Sequence, residues 1–135
     1  MIDFFVPGRP MPQKRPKVYR RGNFIQAVDP SKKDKLAWVK LAKTCAKLEL
    51  LDGPLAVTLV FHMPIPKSLK RKIEPGMVHC KKPDIDNLIK FTLDALTGVL
   101  FFDDSHVAQI TAKKTYSDNI GTRVNIQKVK KKAPP

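Results

Sequence analysis

The sequence has few acidic residues and is rich in basic ones. Only 12 of its 135 residues are Asp or Glu, against 26 Lys or Arg, so the formal net charge is +14 and the sequence pI is about 10.0. An excess of positive charge on this scale is typical of proteins that bind polyanions. Nucleic acid is therefore the leading candidate partner, and an anionic membrane surface is the second.

Cysteine and long hydrophobic stretches are also scarce. Cys45 and Cys80 are too few for a disulfide framework and have no partners at metal-ligand spacing, so both are expected to be reduced thiols, with Cys45 in the core. No apolar run approaches the ~20 residues that span a bilayer, and the first five residues lack signal-peptide character. We therefore expect a cytoplasmic protein with no membrane partner.

Five of the 12 acidic residues lie in one stretch, residues 84–104, which we call the acidic island. Lys90 is the only basic residue within it. Clustered carboxylates repel one another unless a positive charge lies among them, and hard oxygen ligands of this kind suit Mg²⁺ or Mn²⁺. The acidic residues of the island are Asp84, Asp86, Asp94, Asp103 and Asp104.

The order of predicted elements indicates an α+β fold, with a small mixed or antiparallel sheet and two main helices. The length fits a single domain, which we place at residues 1–129, followed by a basic disordered tail at 130–135. The predicted elements are a strand at 2–6, a small hairpin at 17–26, a helix at 30–51, a strand at 55–63, a helix at 86–97, and two strands at 106–116 and 121–129 that form a hairpin.

Spacing within the two helices predicts which faces are buried. In the first helix, Trp38, Leu41, Cys45 and Leu48 form one apolar stripe, with the lysines largely on other faces. In the second, Asp86 is the expected N-cap, and Asp94 is expected to form a surface ion pair with Lys90. Phe101-Phe102 and the Trp38 helix are candidate dimer surfaces, with core packing as the alternative for both.

Two basic, proline-interrupted segments are candidates for phosphate contact. The first runs from Arg9 to Arg21, with a solvated loop as the alternative interpretation. The second runs from Pro64 to Lys82 and is expected either to be a mobile loop or to contain a helical turn at 69–73. The DNA-binding candidates within them are Lys14, Arg15, Lys17, Arg20, Arg21, Lys70, Arg71 and Lys72.

The acidic island carries the predicted chemistry. Asp84 and Asp86 flank one residue where an extended segment turns into a helix, so both carboxylates are expected to face one cation. A third carboxylate would come from Asp103 or Asp104. A metal ion held there would polarise a phosphodiester and lower the pKa of a bound water, while Lys90 could reach the negative charge of the transition state.

These residues resemble the RusA family of Holliday junction resolvases. The likeness rests on His79-x-x-Lys82-Pro-Asp-Ile-Asp-Asn-Leu-Ile-Lys90, on Leu93-Asp-Ala-Leu-Thr-Gly98 and on Asp103-Asp-Ser-His-Val107. Pro7-Gly-Arg-Pro-Met-Pro-Gln-Lys-Arg-Pro16 is similar to the N-terminal arm of Gram-positive-type members.

The resemblance implies a homodimeric, Mg²⁺-dependent endonuclease that places paired, symmetric nicks in four-way DNA junctions, without a small-molecule cofactor. Its metal-binding residues would correspond to Asp84, Asp86 and Asp104, with Asp103 as the alternative to Asp104. Its active-site lysine would correspond to Lys90.

Two other hypotheses remain open at this point. The chain could be a noncatalytic basic DNA-binding protein whose acidic island is structural, or a metal-dependent nuclease acting on other nucleic-acid structures, such as RNA or flaps. Cleavage that is lost when Asp86 becomes Asn, while binding remains, would separate an enzyme from a binding protein.

Overall fold

A computed structural model describes residues 1–130 and 134, so most of the tail predicted at 130–135 lies outside the described residues. The predicted α+β fold class is confirmed: the fold has two α-helices, a mixed four-stranded sheet and a separate two-stranded sheet. The elements are β1 (Ile2–Pro7), β2 (Lys17–Arg21), β3 (Phe24–Val28), α1 (Lys32–Cys45), β4 (Leu55–Met63), α2 (Ile85–Leu96), β5 (Val107–Tyr116) and β6 (Gly121–Lys128).

The predicted strand at 55–63 is confirmed, and it lies inside the larger sheet, whose order is β1-β6-β4-β5. All five apolar residues at its odd positions are buried, because alternate side chains of a strand point to the same face. Phe4, Val6, Val124 and Ile126 from β1 and β6 join them in one hydrophobic core, to which Leu88 and Leu96 of α2 also belong. Both helices therefore pack against the sheet through this core.

The predicted hairpin between the last two strands is wrong. Both strands form where expected, but β4 lies between them, pairing in parallel with β5 and antiparallel with β6. The connection at 117–120 therefore crosses the end of β4. Its four residues can span roughly 13 Å, more than the ~9.6 Å of two strand spacings. β4 ends there because Pro64 and Pro66 follow it.

The first helix is shorter than predicted, and its buried face is different. It ends at Cys45, because Ala46 is already extended. The inward positions are Ser31, Lys35 and Ala42, with Trp38 partly buried, whereas Leu41 and Cys45 of the predicted stripe are exposed. The prediction of Cys45 as a core residue is therefore wrong. The buried face was predicted wrongly because one of its residues is a lysine, Lys35, and the prediction considered apolar residues only.

The second helix begins one residue earlier than predicted. Asp84, and not Asp86, is the N-cap residue, with extended backbone angles of −69° and 142°, and Asp86 lies in the first helical turn. Gly98 follows the helix with a φ of +83°, a conformation that favours glycine, as predicted. Beyond it, Phe101 is fully buried and packs in the core, whereas Phe102 is exposed.

The predicted small hairpin is confirmed as β2 and β3, which pair antiparallel around a turn at Gly22. This two-stranded sheet is separate from the main sheet. Among the described residues, no helix is long and apolar enough to cross a membrane.

Candidate active site at the first turn of α2

The acidic island is built around the start of α2. Asp84, at the N-cap, accepts a hydrogen bond from Lys82 Nζ at 2.9 Å, which lowers the pKa of its carboxyl group. Asp86 is exposed in the first turn, and Lys90 lies one turn later on the same side of the helix. The structure therefore places two ionisable carboxylates and one lysine along the beginning of a single helix.

A lysine from β5 fixes the chain immediately before Asp84. Lys114 Nζ donates hydrogen bonds to the backbone carbonyls of Lys81 at 2.6 Å and Pro83 at 2.8 Å. Sequence reasoning missed this role, because carbonyl acceptors more than 30 residues away leave no local pattern. Lys114 thus determines where the segment enters α2, and with it the position of Asp84.

A cleft of about 440 Å³ lies along the exposed side of α2. It brings Lys90 and Asp104 together with Lys14 and Arg15, two cations of the basic arm, which we define as residues 9–16. The full lining is Gln13, Lys14, Arg15, Pro16, Asn87, Ile89, Lys90, Leu93, Asp94 and Asp104.

The two adjacent aspartates before β5 have different surroundings. Asp104 lines the cleft, whereas Asp103 accepts a hydrogen bond from Ser105 Oγ at 2.6 Å, which lowers the pKa of Asp103. Asp103 is the N-cap residue of a short 3₁₀ turn and Asp104 is its first residue, so the two do not follow the side-to-side alternation of a strand. Of the two, Asp104 shares the cleft with Lys90.

The basic arm is held against both helices by hydrogen bonds. The Gln13 N–H donates to the carbonyl of Asn87 in α2 at 2.9 Å, and the Lys14 N–H donates to Ser31 Oγ at 3.0 Å. The Gln13 side-chain amide also donates to Asp29 Oδ1 at 2.8 Å. Backbone attachment at Gln13 and at Lys14 itself holds the arm at the edge of the cleft.

A buried lysine connects this attachment to α2. Lys35 Nζ lies 2.8 Å from carboxylate oxygens of both Asp29 and Asp94. Burial opposes the charge on Lys35 most strongly, but hydrogen bonds and charges from the two aspartates outweigh it and raise its pKa. The hydrogen bond from Lys35 is also the main reason that the pKa of Asp29 falls to about 2.

This network corrects two predictions. Lys35 was expected, like the other lysines of α1, away from the buried face, but its side chain is only 10% exposed. Asp94 was expected to pair with Lys90, but it pairs with Lys35, because the two helices pack together at this point. Lys90 therefore does not share its charge with Asp94 through the predicted ion pair.

The other predicted site residues lie elsewhere. Of the described residues, Asp84 and Asp86 are not among those that line the cleft. Lys17, Arg20 and Arg21 are exposed on the β2–β3 hairpin, and Lys70, Arg71 and Lys72 are exposed in the second basic segment. His79 is buried against Tyr116, with ring centroids 4.7 Å apart, and burial, reinforced by Lys114, lowers its pKa.

The donor chemistry of the acidic island suits a hard divalent cation, although its side chains are not gathered into one group. In the described part of the chain, no three His, Cys, Asp or Glu side chains are close enough together to hold a metal ion. Asp84, Asp86 and Asp104 are nevertheless exposed carboxylates, the ligand type that Mg²⁺ and Mn²⁺ prefer. They therefore fit the cation by ligand type.

Taken together, these features define a small, basic α+β protein with a carboxylate- and lysine-containing cleft bordered by a basic arm. A family model described as "Endodeoxyribonuclease RusA" matches residues 7–127. The chain is also 32% identical to the "Uncharacterized protein YqaN" of Bacillus subtilis (strain 168), over 95% of this chain and 96% of that protein. The chain belongs to the RusA endodeoxyribonuclease family, so endonuclease is its class of activity.

Proposed function

We propose that the protein is a Mg²⁺-dependent endonuclease that resolves four-way DNA junctions by paired, symmetric nicks, in DNA recombination and repair. One observation carries the proposal: in a chain of the RusA family, Lys90 and Asp104 share a cleft with two cations of the basic arm. The cleft thus combines groups suited to phosphodiester cleavage with groups that attract the DNA backbone.

Asp84, Asp86 and Asp104 would hold Mg²⁺, with Mn²⁺ as a possible substitute. When bound, the ion would supply Lewis-acid activation of the phosphate and of an attacking water. The hydrogen bond from Lys82 lowers the pKa of Asp84, which favours the ionised carboxylate that metal binding requires. Lys114, by fixing the chain before Asp84, acts as a positioning residue.

Lys90 supplies a positive charge in the cleft and would stabilise the negative charge that develops on the scissile phosphate. The carboxylate of Asp94, the predicted partner of Lys90, instead forms an ion pair with Lys35. Lys90 is therefore available to a phosphate group. Lys14 and Arg15 would contact phosphates beside the scissile bond and hold the strand in register.

The symmetric nicks follow from a homodimer. A four-way junction presents two equivalent strands, and a two-fold dimer presents two equivalent sites. Exposed Phe102 remains a candidate contact for this dimer, while Phe101 does not, since it is fully buried in the core.

The test is cleavage of a synthetic four-way junction, with a linear duplex of the same sequence as control. Wild type and Asp86→Asn are each assayed with and without Mg²⁺. We expect paired nicks at symmetric positions, only on the junction, only with the metal, and at least 100-fold slower in the variant.

Each alternative gives a different result in this assay. Junction binding without cleavage under Mg²⁺ or Mn²⁺ would indicate a noncatalytic binding protein. Equal cleavage of junction and duplex would indicate a metal-dependent nuclease with a broader substrate range. Unchanged cleavage by Asp86→Asn would show that the acidic island does not take part in catalysis through Asp86.

A further inference from the structure

The β2–β3 hairpin has no hydrophobic core behind it. Every residue of both strands is exposed, and the strands pair only with each other. An isolated two-stranded hairpin is marginal in water, and exposed apolar groups in contiguous patches mark interaction sites. Its large apolar residues are nevertheless solvent-exposed: Val18, Tyr19, Phe24, Ile25 and Val28.

The pairing register divides the side chains between two faces. Arg21 lies opposite Phe24, Tyr19 opposite Gln26 and Lys17 opposite Val28, so these six share one face. We call this the aromatic face. It places the rings of Tyr19 and Phe24 on the same side of the hairpin as two cations, Lys17 and Arg21. The other face carries Val18, Arg20, Ile25 and Ala27.

The positive charge around the hairpin indicates what kind of partner it binds. From Phe4 to Val28 there are six basic residues and no acidic one. Basic side chains that alternate with exposed aromatic rings are suited to nucleic acid, where cations contact phosphates and rings stack on bases. Two copies of the same face would instead bring like charges together, which opposes a contact between two hairpins.

The hairpin extends from the edge of the candidate active site. Pro16 lines the cleft, and Lys17, the next residue, begins β2. Strands of five residues carry the tip roughly 17 Å beyond that edge. DNA whose phosphate lies in the cleft would therefore meet the hairpin a few nucleotides away.

We infer that the aromatic face of the hairpin stacks on unpaired or unstacked bases at the branch point of the DNA, with Phe24 at the tip as the inserting residue. This inference rests on the proposed function, and it identifies the branch point as the feature of the junction that the protein recognises. Inserting an apolar side chain costs unstacking, and the cost is least where stacking is already interrupted. Phe24 therefore confers preference for branched DNA over duplex.

Ile25 provides a matched control. It is 75% exposed against 78% for Phe24 and adjoins it in sequence, but it points to the opposite face. Wild type, Phe24→Ala, Ile25→Ala and Phe24→Trp are titrated, in EDTA to prevent cleavage, against a labelled four-way junction and a duplex. Each DNA also carries 2-aminopurine, at the branch point or at the matching duplex position.

We expect wild type to increase 2-aminopurine fluorescence at the branch point, and Phe24→Ala to abolish the increase. The same variant should bind the junction roughly 5- to 100-fold more weakly, with less than about threefold change on duplex. Phe24→Trp should retain both properties, and Ile25→Ala should stay within about twofold of wild type. Sedimentation should give the same mass for all four proteins.

Several results would overturn the inference. The aromatic face would not be the recognition element if Phe24→Ala left the ratio of junction affinity to duplex affinity unchanged. The same conclusion would follow if Ile25→Ala lost as much junction affinity as Phe24→Ala. A smaller mass for Phe24→Ala would assign Phe24 to a protein contact instead.

A parallel cleavage assay in Mg²⁺ distinguishes this inference from the proposed function. Wild type that cuts junctions while Phe24→Ala retains full selectivity contradicts only the inference. Wild type that stacks on the branch point through Phe24 but never cuts supports the inference and contradicts the proposed function. Wild type that binds junction and duplex equally contradicts the inference, and if it also cuts both equally, it contradicts the proposed function as well.

Discussion

The two basic segments of this protein have similar composition but different relations to the candidate active site. The arm and hairpin at 9–28 and the segment at 64–82 are both rich in Lys and Arg and are both interrupted by proline. The first contributes four residues to the cleft around Lys90, whereas none of the cleft residues comes from the second.

The difference lies in how each segment is attached. The arm is attached at two successive backbone N–H groups, from Gln13 to Asn87 of α2 and from Lys14 to Ser31 at the start of α1. In the second segment, residues 76–83 are attached to β5, through backbone hydrogen bonds of Gly76, Met77 and His79 and through the Lys114 side chain. The cations at 70–72 precede this attached part, and the Lys72 N–H donates to the Leu69 carbonyl within the segment. Charge would attract DNA to both segments, but the arm's cations are also held in defined positions by backbone attachment at Gln13 and Lys14.

The largest expected effect tests this difference directly. Replacing Lys14 and Arg15 with Ala should slow junction cleavage roughly 100-fold at subsaturating DNA, because both cations border the cleft that holds Lys90. Replacing Lys70, Arg71 and Lys72 with Ala removes one more charge but should slow cleavage less than about threefold. Initial rates at one fixed salt concentration give the comparison.

Equal losses from the two variants would show that the number of charges, and not their placement, determines the rate. The salt dependence of binding supplies a second readout. Its slope should fall by about 0.9 for each phosphate contact that is lost, so the double variant should change it by up to about 2.

A smaller effect is expected from the attachment itself. Lys35→Met leaves Asp29 and Asp94 facing each other without their shared cation, and should lower the free energy of unfolding by about 2 kcal/mol. Lys33→Met, at an exposed position of the same helix, should change it by less than about 0.5 kcal/mol. Urea unfolding followed by circular dichroism measures both.

Trypsin digestion adds a readout specific to the arm. If Lys35 fixes the arm through Asp29, cleavage after Lys14 should accelerate in Lys35→Met but not in Lys33→Met. A Lys35→Met protein as stable and as resistant as wild type would show that the arm is held without the buried lysine.

The local elements of the fold were predictable from the sequence, but the pairing of distant strands was not. The strand at 55–63 stands out because its alternation is unbroken and one face is entirely apolar. The residues at 117–120 have the polar character of a hairpin turn, yet they connect strands that lie on opposite sides of β4. A turn pattern specifies a change of direction and leaves the pairing partner to long-range packing.

The candidate site shows the same division. The acidic island, Lys90 and the basic arm are visible in the sequence because their residue types are concentrated there. The burial of Lys35 was not visible, since a buried lysine needs carboxylate partners and one of them, Asp94, lies 59 residues away in the sequence. The different surroundings of Asp103 and Asp104 depend on a 3₁₀ turn that no pattern in the sequence indicated.

The smallest expected effect concerns acid stability. Because the pKa of Asp29 is about 2 in the folded protein and 3.8 ordinarily, its contribution to stability is complete above about pH 4 and is lost as the pH falls towards 2. The side chain is one-third exposed, so solvent screening should limit the loss to about 1 kcal/mol or less. Asp29→Asn should therefore reduce the difference in unfolding free energy between pH 5 and pH 2.5.

Asp3 supplies the control, because its pKa is also lowered, chiefly by a hydrogen bond from Arg123, but it lies on β1, away from the arm. Asp3→Asn should alter the acid dependence of unfolding without changing trypsin cleavage after Lys14. Asp29→Asn should change both, since Asp29 links the arm to Lys35. If both variants leave cleavage of the arm unchanged at pH 7, the attachment of the arm does not depend on the Asp29 carboxylate, and its backbone hydrogen bonds to Asn87 and Ser31 are sufficient to hold it beside the cleft.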